Sequence, residues 1–147
     1  MYKSILALAL MIMMGCIHTR YNNHYSKLTP EDREYLSRVW SQPSRFTVKL
    51  ESDGACWQRA ADWITSYSRS PIESVSDQMI VTHKPLNNES SYWYTITRTR
   101  GADQVEYHVA CHSNYSEQKR DYLERQLSYY IVSGQIRENL VNWSPLP

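Results

Sequence analysis

Behind Met1-Tyr2-Lys3, the residues from Ser4 to Met14 (SILALALMIMM) form an almost unbroken apolar run that ends at Gly15-Cys16. The run is shorter than the roughly 20 residues a spanning helix requires, but it suits the apolar core of an export signal. From Ile17 to Leu28 the chain turns polar and shows neither a helical nor a strand period. This segment reads as a tether, with an extended reach of at most about 40 Å.

Periodicity begins at Thr29-Pro30-Glu31-Asp32, a capping hydroxyl followed by Pro and two acids, which predicts a helix start. Tyr35, Leu36, Val39 and Trp40 continue it at helical spacing, and Ser41-Gln42-Pro43-Ser44 ends it. Arg45 to Glu51 alternates, with Phe46, Val48 and Leu50 on one side, and predicts a half-buried strand. Ser52-Asp53-Gly54 then caps a helix over Ala55 to Ser68, whose stripe is Cys56, Ala60, Trp63, Ile64 and Tyr67.

Ile72 to Ser76 and Met79 to His83 read as two short strands joined by an Asp77-Gln78 turn, with a loop over Pro85 to Glu89. Tyr92 to Arg100 and Gln104 to His112 form a hairpin around Gly101-Ala102-Asp103, the second strand burying Val105, Tyr107, Val109 and Cys111. Ser116 caps a last helix with Leu123, Leu127, Tyr130 and Ile131 on its stripe, bent or broken near Gly134 before Ile136, Leu140 and Trp143. Strands gathered between helices predict an α+β fold: an antiparallel sheet of about four to five strands with helices packed on one face, preceded by the capped N-terminal helix. The implied organisation is a signal peptide over 1–15, a lipidated Cys16 with its tether over 16–28, and a single α+β domain over 29–147.

Gly15-Cys16 at the end of an apolar run resembles the lipobox of bacterial lipoproteins, although Met13 and Met14 stand where Leu and a small residue are common. The resemblance implies cleavage before Cys16 and acylation of that cysteine, an anchor built from additive methylene burial. Ile17, in place of the Asp that retains many such proteins at the inner membrane, favours the outer membrane and its periplasmic face. An ordinary signal peptide or an uncleaved anchor is the alternative. The element order from Phe46 to Ile131, with Ile72-Glu73-Ser74-Val75 leading to Met79-Ile80-Val81-Thr82, resembles the helix-grip domains of the C-subunit lipoprotein of the outer-membrane barrel assembly machinery. No catalytic or binding signature comes with that likeness.

Composition narrows the function. The 147 residues carry 16 Lys+Arg against 15 Asp+Glu, and cleavage after Gly15 would remove Lys3 and no acid. A balanced mature chain does not select nucleic acid or anionic headgroups. The cysteine count, three, divides into one plus two: Cys16 for the lipid, and Cys56 with Cys111 as a disulfide in an oxidising compartment. Two separate buried thiols are the other reading of that pair.

Candidate chemistry is sparse. His108 and His112 share a strand face but stand about 13 Å apart, and Cys111 points the other way, so they do not converge on a metal. His83 and Glu106 would join them only in a register that one sequence does not define, and His18 and His24 in the tether have no third ligand near them. No Gly-x-Ser-x-Gly elbow and no phosphate-binding glycine loop occurs, and Asp62, Glu73, Asp103 and Glu106 are isolated acids. No cofactor is implied. Tyr92, Trp93 and Tyr94 alternate along a strand, so core filling is the first reading of the triplet and a contact surface for sugar or protein, with one ring turned outward, is the other. The expectation is a non-catalytic, lipid-anchored interaction or accessory module of the cell envelope, with the membrane and an envelope protein as partners and no nucleic acid. The alternative is a small lipoprotein that binds a lipid or glycan.

Overall fold

A computed structural model describes residues 27–85, 92–113, 116–141 and 143. The apolar run, Cys16, His18 and His24 lie outside the described residues. The order of elements is α1 (Pro30–Ser41), β1 (Arg45–Lys49), a 3-10 turn (Leu50–Ser52), α2 (Asp53–Tyr67), β2 (Ile72–Val75), β3 (Met79–Thr82), β4 (Trp93–Arg100), β5 (Gln104–His112), α3 (Glu117–Ser133) and a second 3-10 turn (Glu138–Leu140). The five strands form one open antiparallel sheet in the order β1-β5-β4-β3-β2, which makes the fold α+β.

Helix ends follow the local sequence. Thr29 Oγ1 accepts from the Asp32 backbone N–H at 3.1 Å with Pro30 in the first turn, and Ser116 Oγ accepts from the Lys119 N–H at 3.2 Å. Helix α3 stops at Gly134, whose φ of 70° lies in the left-handed region that glycine adopts without a Cβ penalty. Its last turn contains no basic residue of its own. Arg59 of α2 supplies the charge instead, donating from Nε to the Ile131 carbonyl at 2.8 Å and from Nη2 to the Val132 carbonyl at 3.2 Å.

Alternate positions of the strands are buried. Phe46, Ile80, Tyr94, Ile96, Val105, Tyr107, Val109 and Cys111 share one core cluster with Leu36 and Val39 of α1, Trp63 and Ile64 of α2 and Leu127 and Ile131 of α3. The intervening positions, including Trp93, Thr95, Thr97 and His108, remain at least partly accessible. On α3 the buried aromatics are Tyr122 and Tyr129, not the expected Tyr130, which stays half-buried. Burial there also takes in Gln126, whose amide donates to the Tyr122 hydroxyl at 3.0 Å and to the Leu140 carbonyl at 3.3 Å. These bonds offset the desolvation of the amide nitrogen, while the buried Oε1 has no partner among the described residues.

The expected Cys56–Cys111 disulfide is not formed: both residues are free, buried thiols. The reason is register. The first turn of α2 is held over Tyr107, whose hydroxyl lies 2.6 Å from Asp53 Oδ1. Cys111 is four residues further along β5, or about 13 Å of strand. Cys56 Sγ instead accepts from Arg59 Nη2 at 3.3 Å, while Cys111 is paired across the sheet with Tyr94. Facing the core from both elements is necessary for a bridge but does not make the two positions coincide.

Candidate functional site

Two constellations of chemistry-bearing side chains stand out, and the sequence reading assembled neither. The first is a buried ion cluster. Asp53, 2% exposed, begins α2 and accepts from Arg98 Nη1, which lies 3.0 Å from each of its oxygens, and at Oδ2 from Arg100 Nε and Nη2 at 3.0 and 2.8 Å. Tyr107 closes the set with its hydroxyl. Arg98 occupies a core-facing position of β4 after Tyr94 and Ile96, so its charge has to be met inside the protein. Its guanidinium lies 4.1 Å from the Trp57 ring centroid, a cation–π contact, and its Nε donates to the Asp77 carbonyl.

Burial alone would raise the pKa of Asp53, but the Tyr107 hydrogen bond, Arg100 and Arg98 outweigh it and hold the carboxyl below its ordinary value. Tyr107 is shifted upward by burial and by donating to that carboxylate. Every oxygen of Asp53 is engaged, so the cluster fastens the start of α2 to β4 and β5 and leaves no acceptor directed at a substrate.

The second constellation is a cavity of about 370 Å³ at the other end of α2. Trp63 and Tyr67 reach it from α2, Tyr92 and Tyr94 from the start of β4, and Lys119 from the first turn of α3. Trp63 is fully buried, meets Tyr94 edge-on with centroids 5.3 Å apart, and has Tyr67 6.0 Å away. Its indole Nε1–H has no hydrogen-bond partner among the described residues. Lys119 Nζ donates to the Trp143 carbonyl and sits 5.3 Å from the Tyr122 ring centroid, and burial lowers its pKa to about 8. The exposed Arg69 borders the same space.

The aromatic triplet is divided among three environments. Tyr94 is core, Tyr92 edges the cavity, and Trp93 lies on the accessible side of the sheet. There Trp93 stacks on His112 with centroids 5.7 Å apart and an interplanar angle of 25°, and Lys84 Nζ stands 5.6 Å from its centroid. His112 Nε2 is also 3.3 Å from Thr95 Oγ1. Of the other residues weighed as ligands, His83 approaches Glu73 at 4.0 Å, whereas Glu106 pairs with Arg45 at 3.2 Å. His83 and Glu106 are therefore not brought together. Among the described residues no group of three or more His, Cys, Asp or Glu is arranged to hold a metal ion, and no helix is long and apolar enough to cross a membrane.

The fold and these sites define an α+β domain built on an open five-stranded antiparallel sheet. No protein-family model, curated protein or solved structure matches the chain.

Proposed function

We propose that the chain is a non-catalytic lipoprotein of the bacterial cell envelope, acylated at Cys16 and held at the periplasmic face of the outer membrane, whose domain serves as an interaction module. The anchor rests on the apolar run and Gly15-Cys16; the module rests on the domain. The observation that carries the reading is Trp93. Its ring is held on the accessible side of a rigid sheet by His112 and Lys84 while its neighbour Tyr94 fills the core. A large amphipathic ring in a fixed orientation is a typical interface anchor, and it fits a partner protein that offers an apolar pocket to the indole. The commitment of Asp53, Arg98, Arg100 and Tyr107 to one another supports a structural use of the buried charges.

Two measurements in the producing cell test this. Radiolabelled palmitate should enter the parent chain and not its Cys16→Ser variant; equal labelling would overturn the anchor. A photo-crosslinking residue at Trp93 should yield an adduct with one defined envelope protein, and the same residue at Arg33 on the exposed side of α1 should not. Recovery of the monomer alone from both positions would overturn the module.

A further inference from the structure

The cavity beside Trp63 combines features that the fold itself leaves unused. Of its aromatic rings, Trp63 meets both Tyr67 and Tyr94, and Tyr92 adds a fourth. Among the described residues no carboxylate lines it. Two cations border it, Lys119 and Arg69, and neither has an ion-pair partner among the described residues. Lys119 Nζ donates one of its hydrogens to the Trp143 carbonyl. Trp63, one of the lining residues, has a buried indole N–H with no acceptor among the described residues. Leaving such a donor unpaired costs about 1–3 kcal/mol, a cost that a ligand oxygen would remove.

Each feature specifies part of a ligand. Aromatic walls favour a ring with an apolar face, the orphan indole N–H requires an oxygen acceptor, and two unpaired cations with no opposing acid require a negative charge. The volume, about 370 Å³, falls within the about 300–1,000 Å³ typical of small-molecule sites and suits one or two sugar rings. We propose that this cavity binds an acidic carbohydrate, with the carboxylate at Lys119 and Arg69, a ring or hydroxyl oxygen accepting from Trp63 Nε1–H, and the apolar ring face against Tyr92. Burial of Lys119 strengthens its attraction for an anion because solvent screening is reduced there. The site is separate from the Trp93 surface and does not depend on it.

The experiment is a titration of the full mature chain in detergent, read by intrinsic tryptophan fluorescence, with D-glucuronate, D-glucose and benzoate as probes. Glucuronate should give a saturable change, with glucose and benzoate weaker by at least about tenfold. Lys119→Met should weaken glucuronate by at least about tenfold and leave the residual affinity for glucose unchanged. Its melting temperature, equal to or above that of the parent, shows that the variant is folded. Tyr92→Ala should weaken glucuronate and glucose alike. A glucuronate-terminated disaccharide separates a free sugar from a chain end: tighter binding than the monosaccharide identifies a glycan terminus, and weaker binding identifies the free acid. No saturable response to glucuronate, equal affinity for benzoate, or an unchanged affinity in Lys119→Met would each overturn the proposal.

Discussion

The Asp53 carboxylate and the Tyr107 hydroxyl stand 2.6 Å apart across 54 residues of chain, and the same hydroxyl lies 3.2 Å from the Asp53 carbonyl. One phenol thus grips both the side chain and the backbone of the first residue of α2. Arg98 and Arg100 bind that carboxylate from the neighbouring strand, so a single acid holds a helix to two strands.

Asp53→Asn leaves the Arg98 guanidinium buried without its counter-charge and should cost about 3–5 kcal/mol in urea unfolding. Replacing the buried group together, by Asp53→Leu with Arg98→Met and Tyr107→Phe, should restore much of that loss, because an apolar replacement removes the desolvation cost along with the attraction. A combined variant no more stable than Asp53→Asn would disprove this account.

The cluster also sets an acid limit. The folded-state pKa of Asp53 lies below its unfolded value of about 3.9, so its contribution is complete above that value and is lost as pH falls through the folded pKa. Acid unfolding curves of the parent and Asp53→Asn should therefore converge below about pH 4.

Lys119 acts in the opposite range. Burial lowers its pKa to about 8, so the unfolded chain binds the proton more tightly and stability should rise with pH from about 8 towards the unfolded value near 10.4. Cys111, pushed up to about 12 by burial, opposes this above its unfolded value of about 8.5 because there the folded state holds the extra proton. Between about pH 8.5 and 10.4 the two contributions nearly cancel, so Lys119→Met should turn a nearly level profile into a declining one, as read from melting temperature against pH.

Both thiols should be silent in the native protein. In a Cys16→Ser chain, a thiol reagent at neutral pH should find no fast-reacting group, and denaturation should release two, Cys56 and Cys111. Added reductant should leave the melting temperature unchanged; a drop would establish a bridge and displace the free-thiol description.

The end of α3 depends on a residue of α2. Arg59→Met removes both donors to the Ile131 and Val132 carbonyls and should cost about 1–2 kcal/mol. Gly134→Ala should cost about 1–2 kcal/mol from its positive φ alone, since a Cβ there would meet Arg59 only at an ordinary 3.5 Å. Equal stability of parent and variants in urea would contradict this capping role.

Alternation and capping made most elements legible: the parity of β5, the Thr29-Pro30 start of α1 and the Gly134 end of α3 all follow from local sequence. Strand order did not, because β1 pairs with β5 and no local pattern encodes a partner about 60 residues away. The two failures share that cause. Cys56 and Cys111 both face the core, but only the placement of α2 on β5 shows that they are offset. Ser52-Asp53-Gly54 has the local pattern of a cap, and Arg98 on the buried parity of β4 is the one sign in the sequence that an acid comes inside. Trp63 was assigned correctly to the core stripe, while its orphan N–H depends on three elements meeting at the cavity and leaves no trace in the spacing.

The position of β1 at the sheet edge governs the order of assembly. The strands from β2 to β5 pair with their neighbours in sequence, but Arg45–Lys49 docks only on Gln104–His108, beyond all of them. Closing that long loop carries an entropic penalty that the nearer pairings avoid. The first of these five strands in the chain is therefore the last to be zipped into place, and the chain must stay competent to fold until β5 has formed.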